Sequence, residues 1–237
     1  MDVDIRIGSV VEELVEFMLD HFQSALDVVA SVVDGFGGAI DYVLVGMPGW
    51  LFIAIVVAVS VWRLGVGFGL FALAALLLIS GMGLWAETAS TLGLVLSATL
   101  LSLAIGIPLG ILMVRNRTFE SVAKTTLDFM QTMPAFVYLI PAVMFFGLGR
   151  VPGILATVIF AMPPAVRLTA LGIQQVPAEI IEAGRAFGCM DRQPLFKVQL
   201  PNALPSIMAG VNQTMMMALS MIVIASTASS RYFFSAI

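Results

Sequence analysis

The chain has 237 residues, 60% of them hydrophobic and only 11% charged, with a mean hydropathy of +1.05 and a formal net charge of −4. A soluble domain carries about 25% charged residues, so this composition excludes an ordinary globular protein. Several runs reach the roughly 20 apolar residues that cross a bilayer as a helix, and the sequence predicts an all-α, polytopic membrane protein.

Residues 1–49 form the one long charged region, with nine acids against Arg6, a net −8. The whole chain is −4, so the remainder is +4. Val11, Leu14, Val15, Met18 and Phe22 recur at helical spacing. This predicts one or two amphipathic helices lying on or beside the membrane, and their acidic face does not suit anionic lipid. The single histidine, His21, lies in this segment and reads as a surface residue. No basic stretch precedes an apolar core and a small-residue cleavage site, so no cleaved signal peptide is expected. The one cysteine, Cys189, excludes an intrachain disulfide, and a lone thiol makes no metal or redox site.

Six apolar runs follow, at about 50–62, 65–85, 90–114, 132–149, 151–171 and 204–226. Trp50, Trp62 and Trp85 stand at run ends, as in an interfacial aromatic belt. A more polar connection, 115–131, holds Glu120, Lys124 and Asp128, and Gly149 to Gly153 reads as a tight turn. A polar insert occupies about 172–203, and a short tail, 227–237, ends the chain. One side of the six runs receives Arg63, Arg115, Arg117, Lys124, Arg167, Arg185, Arg192 and Lys197; the other receives Arg6, Arg150 and Arg231. The basic excess places the first set in the cytoplasm, so both chain ends are expected outside.

No Asp, Glu or Lys lies well inside any of the six runs. Proton-driven carriers place titratable groups mid-membrane, so uphill transport by this chain would draw its energy from another subunit. Pro108, Pro134, Pro141, Pro163, Pro164 and Pro205 interrupt the spans, which fits either a gated pathway of kinked helices or ordinary transmembrane packing. In the sixth run Asn212, Gln213 and Thr214 precede Met215 and Met216. These polar side chains either line a path with Met as an adaptable wall or bond neighbouring helices. Phe136 and Tyr138 offer ring faces to a cationic solute, although aromatics in such a run more often simply pack. Nothing in the bundle supplies the paired acids, His clusters or activated nucleophile of an intramembrane enzyme; no catalytic residue and no metal ligand is assigned.

The polar insert reads as a short helical hairpin. Pro177 suits a helix start, and Glu179 falls near the positive helix N-terminus. Ile180, Ala183, Gly184 and Phe187 follow at i, i+3, i+4 and i+7 and make one narrow apolar face. Gly188 is suited to the left-handed conformation that ends a helix. A second short helix, about Arg192 to Val198, is expected to stop before Pro201. The hairpin serves either as an anchor for a partner's cleft, with Phe187 inserted, or as an interfacial helix packed on its own bundle.

Glu182-Ala183-Gly184-Arg185-Ala186-Phe187-Gly188, with Val198-Gln199-Leu200-Pro201 behind it, resembles the cytoplasmic E-A-A-x3-G-x9-I-x-L-P loop of binding-protein-dependent ABC transporter permeases. Gly184 stands where that pattern has Ala and Val198 where it has Ile. The strings Asp128 to Leu139, Gln174 to Pro177, Ile207 to Thr214 and Ala218 to Ser226 are similar to permease subunits of glycine betaine/proline betaine ABC importers, over roughly residues 45–226. The resemblance implies that Glu182, Ala183, Gly184, Phe187, Gly188, Leu200 and Pro201 dock on a cytoplasmic ABC ATPase. It implies a homodimer of permease subunits in the lipid of a bacterial or archaeal inner membrane, and an extracytoplasmic substrate-binding protein that delivers the solute. It implies no cofactor in this chain, since ATP and Mg belong to the ATPase, and a role in osmoprotection. A permease for choline, carnitine or proline, or an ATP-independent channel or carrier, is the alternative. After Ser226 the family continues through a Gly-rich outer loop and one further helix, whereas 227–237 leaves too few residues for another span.

Overall fold

The structure, a computed structural model, describes residues 7–189 and 193–229. Among the described residues all regular structure is helical. The apolar runs become α2 (Gly49–Leu64), α3 (Val66–Gly81), α4 (Trp85–Arg115), α6 (Phe136–Phe146), α7 (Arg150–Gln174) and α9 (Leu200–Ser229). Before them runs α1 (Ile7–Gly46); the polar connection is α5 (Arg117–Thr132), and the insert contains α8 (Ala178–Ala186). The fold is thus all-α and polytopic, as the composition requires.

The division into spans differs in detail from six equal crossings. Among the described residues, four helical stretches are long and apolar enough to cross a membrane: His21–Gly46, Trp85–Arg115, Arg150–Gln174 and Leu195–Ala225. A fifth is reached if α5 and α6, bent by 95° at Met133-Pro134, count as one broken span. Pro134 has no N–H to continue the helix, and Met133 before it is extended at ψ 138. The first two runs form 16-residue helices that rise about 24 Å, short of the roughly 30 Å hydrocarbon core. Gly65, at φ +95, turns the chain between them, a conformation that costs a side-chain-bearing residue. Trp85 begins α4 instead of closing the second run, and its ring meets Phe52 of α2 edge-on at 5.3 Å.

The N-terminal segment, expected as one or two amphipathic helices, is one 40-residue helix over its described part. Its last turns do more than lie beside the bundle. Val33 joins Val95, Ala98, Ile154, Val158, Ala218 and Ile222 in a core shared by α1, α4, α7 and α9. Two turns on, Asp41 is buried, and its Oδ2 lies 2.8 Å from Arg150 Nη2. Gly93 makes room for it: a Cβ there would overlap Asp41 Oδ1. The partners of Asp41 are thus an early residue of α4 and the first residue of α7, at the ends of those helices remote from α8.

The centre of the bundle is α7. Ala156, Ala161 and Ala165 are almost wholly enclosed, and small residues on the neighbours let those backbones come close, the usual solution where lipid offers no hydrophobic drive between helices. Gly106 faces Ala165, Gly110 faces the Val166 carbonyl, and Gly210 of α9 faces Leu168. Ser102 adds a hydroxyl that donates to Ala98 O at 2.7 Å within its own helix. Around this axis α4, α6 and α9 present Met113, Leu139, Met221 and Ile222 as the larger core side chains.

Candidate functional site

The insert leaves α7 through a bend and re-enters helix at α8. Pro177 caps it: its carbonyl accepts from Ile180 N at 3.1 Å and Ile181 N at 3.4 Å. The helix therefore starts one residue later than the proline pattern suggests, within the usual ambiguity of helix ends. Its far end closes as expected. Phe187 N–H donates to Ala183 O at 3.0 Å and Cys189 N–H to Gly184 O at 3.2 Å, with Gly188 between them at φ +91, a left-handed termination of the Schellman type.

The chain then returns against α8. Val198 Cγ2 lies 2.9 Å from where a Cβ on Gly184 would be. The two positions at which this chain departs from the loop pattern are therefore in contact with each other. The second short helix does not stop before Pro201 as expected. Residues Leu195–Gln199 form a π-helical turn that runs straight into α9, with Leu200 N–H bonded to Leu195 O. The wider turn absorbs Pro201, which has no N–H for an ordinary helical bond. Arg192, the expected start of that helix, lies outside the described residues. Leu200 packs beside Ile173, Leu195, Ala203 and Ile207, so the insert is bolted to both helices that flank it.

What the hairpin leaves outward is unusual for a folded surface. Phe187 is 92% exposed, and Ile180 and Phe196 are also exposed, as are Glu182, Ala183 and Pro201. An aromatic ring offered to solvent beside other apolar groups marks an interaction surface.

Beside the hairpin, between α5, α7 and α9, lies an open-mouthed cavity of about 530 Å³. Lys124, Asp128 and Gln131 of α5, Arg167 and Gln174 of α7, and Gln213 of α9 supply its polar lining. Arg167 Nη2 donates to Asp128 Oδ1, while Arg167 Nε is buried with no hydrogen-bond partner. Lys124 Nζ lies 2.7 Å from Glu120 Oε1, and Gln174 Nε2 donates to the same oxygen at 3.0 Å. Those two bonds, from Lys124 first and Gln174 second, hold the Glu120 carboxyl below the usual carboxylate value. Asn116 fixes the start of α5 by accepting from Thr118 N at 3.0 Å and Phe119 N at 3.3 Å.

Of the expected pathway residues, Gln213 alone lines this cavity. Asn212 and Met216 are exposed along α9, and Phe136 is exposed at the start of α6. Thr214 is completely buried, with its hydroxyl unpartnered. Tyr138 is half-buried, packs against Phe160 and donates to Met130 O at 2.6 Å, which ties α6 to α5. Two of the cavity's charged residues, Lys124 and Asp128, were visible in the sequence as part of the polar connection. Glu120, Lys124, Asp128 and Gln131 recur at i, i+4, i+8 and i+11, the signature of one helix face. Among the described residues, no group of His, Cys, Asp and Glu could hold a metal ion.

Residues 102–231 match the family described as binding-protein-dependent transport system inner membrane component. The chain is similar to the glycine betaine/proline betaine transport system permease protein ProW of Escherichia coli, 50% identical over 94% of this chain and 63% of the relative. It is 49% identical to the glycine betaine/carnitine transport permease protein GbuB of Listeria monocytogenes, over 94% of this chain and 80% of that protein. To the glycine betaine transport system permease protein OpuAB of Bacillus subtilis it is 44% identical, over 93% and 78%. The chain thus spans less than two thirds of the Escherichia coli protein's length. With a family match across α5 to α9, and relatives this similar along nearly all its length, the chain belongs to the inner membrane components of binding-protein-dependent transport systems.

Proposed function

We propose that this chain is the membrane-spanning permease subunit of an ATP-driven importer for glycine betaine/proline betaine-type osmolytes. The observation that carries the reading is the α8 hairpin: a capped helix that holds Phe187 almost fully exposed, next to the end of α7. A partner ABC ATPase takes that surface, with Glu182, Ala183, Gly184, Phe187 and Gly188 at the contact and Leu200 and Pro201 behind it. The chain hydrolyses nothing itself; ATP and Mg reside in the ATPase, and an extracytoplasmic binding protein delivers the solute. Two copies of the permease, embedded in lipid, enclose the path. The names of the similar proteins, which speak of glycine betaine, support the solute class. Carnitine in the name of the Listeria relative favours a second reading, in which a longer betaine is also carried.

The same reading orients the molecule. The basic ends of α4, α5 and α7 face the cytoplasm with α8. Asp41, in contact with Gly93 and Arg150, then lies towards the outer face, and Val33, deeper among Val95 and Val158, directs the start of α1 towards the cytoplasm, against the expectation of an N-terminus outside.

The test is a mild-detergent pull-down of the tagged chain from its own host, with mass spectrometry of what accompanies it, and uptake of labelled glycine betaine by the same cells. Recovery of an ABC ATPase and ATP-dependent uptake are expected. Phe187→Ala should lower ATPase recovery several-fold while membrane insertion is unchanged, as for an aromatic anchor whose truncation costs more than about 1–2 kcal/mol. Full recovery with Phe187→Ala and Glu182→Lys alike would remove the docking assignment.

A further inference from the structure

We infer that the cavity between α5, α7 and α9 is a low-affinity subsite for a zwitterionic solute, in which the internal Asp128–Arg167 ion pair opens and each member takes the opposite pole of the ligand. The inference rests on the proposed function for the identity of the solute, and on the cavity itself for everything else.

Charge balance comes first. The lining and the residues bonded to it carry two cations, Lys124 and Arg167, and two anions, Asp128 and Glu120. A site of zero net charge with both signs fixed in place suits a ligand of zero net charge with both signs; an isolated anion or cation would leave one member unmatched. Asp128 and Arg167 sit on different helices, α5 and α7, so their pairing is already the complement of a dipolar molecule. The pair is largely exposed, at 66% and 37%, and exposed pairs contribute little, so exchanging its partners costs little.

A second observation points to an anion in particular. Arg167 Nε is buried and has no hydrogen-bond partner, although its guanidinium already holds Asp128. A guanidinium presents its donors as a planar fork that suits a carboxylate, and a ligand carboxylate that takes the place of Asp128 on the Nε–Nη2 edge would satisfy a donor that is otherwise costly to bury. Lys124 stands on the same lining, and its ammonium adds attraction.

Size and polarity fit a small solute. The volume of about 530 Å³ falls within the roughly 300–1,000 Å³ of small-molecule pockets. Met113 and Leu168 add apolar wall against which methyl groups can lie, and Gln131, Gln174 and Gln213 offer neutral polar contacts. No aromatic ring lines the cavity, so the cationic pole meets only Asp128, and binding is weak. A site on a translocation path must release what it takes, and this one lies at the α8 ends of the helices, where release would occur.

The experiment uses inverted membrane vesicles, which present the α8 side. In a Cys189→Ser background, Gln213→Cys supplies one thiol in the cavity, and its modification by a small methanethiosulfonate reagent is timed. Three probes are compared: glycine betaine; choline, which keeps the cation and lacks the carboxylate; and 3,3-dimethylbutanoate, the same shape as glycine betaine with an uncharged head. Glycine betaine should slow modification and the other two should not. Asp128→Asn and Arg167→Gln should each weaken protection about tenfold or more, as expected for one charge-assisted contact, while the rate without ligand stays that of the parent. Equal protection by all three probes, none by glycine betaine, or protection that survives both substitutions would each overturn the subsite. Uptake of labelled glycine betaine by the intact cells from which the vesicles are made separates the two ideas. Uptake without protection removes the subsite and leaves the importer, whereas absence of uptake removes the importer reading, whatever the protection shows.

Discussion

Asp41 illustrates how a single charge can locate a whole helix. Its carboxylate is buried against Gly93 and held by Arg150, with one oxygen, Oδ1, left unpartnered. Removing the partner would strand it. Breaking a fully buried pair costs roughly 3–5 kcal/mol; Arg150 is one-third exposed, and about 1–3 kcal/mol is the better expectation for a buried group left unsatisfied. Arg150→Ala should therefore lower the thermal midpoint of the protein in nanodiscs, and Asp41→Asn combined with Arg150→Gln should recover much of the loss. An unchanged midpoint in Arg150→Ala would show that α1 is not anchored there. Gly188 makes a similar point at the docking hairpin. Its φ of +91 lies where residues with a Cβ pay roughly 1–2 kcal/mol, with Asn tolerated best. ATPase recovery should follow the order Gly188, Gly188→Asn, Gly188→Val; equal recovery by all three would mean that the hairpin's end does not shape the contact.

At the scale of the helices, close approach decides stability. A Cβ on Gly110 would lie 2.6 Å from the Val166 carbonyl oxygen and 2.7 Å from Thr169 Cβ, atoms of a buried helix that has nowhere to move. Gly110→Val should destabilise by about 1–3 kcal/mol or more through overpacking, read as reduced recovery of folded protein from detergent. Gly67 of α3, with nothing near it, should accept Ala without loss and serves as the control. Much of this layer was legible beforehand: long uncharged runs announce α4, α7 and α9, and the glycines and prolines of the insert announce a capped helix at α8. Other parts were not. The fate of 1–49 hinged on Asp41, whose burial depends on a glycine 52 positions further along the chain, and no local pattern carries that. The 95° bend between α5 and α6 was hidden because Pro134 reads equally well as a kink within one span. Thr214 stood between two readings, lining a path or bonding a neighbouring helix; local sequence could not give its enclosure, which the packing of α9 decides.

For the molecule as a whole, the two ends of the bundle carry different chemistry. Asp41, Arg150 and the start of α2, whose Phe52 meets Trp85, gather at one end, and the charged cavity and α8 at the other. This polarity gives a direct topology test. With Cys189→Ser as background, a thiol at Glu87→Cys, exposed in the first turn of α4, should react with an impermeant reagent in right-side-out vesicles, and one at Phe187→Cys only in inverted ones. Reaction from the same side would overturn the assigned orientation. The cavity and the hairpin are joined by α7, whose last residue, Gln174, is bonded to Glu120, three positions before Pro177. Any push on α8 is therefore delivered to a helix that also carries Arg167. On the return path the π turn at Leu195–Gln199 holds one residue more than an α turn would. A helix in that state resembles a ratchet with a spare tooth. Surrendering the extra residue would change the register of the hairpin on α9 by one position, which in an ideal helix is about 100° and about 1.5 Å.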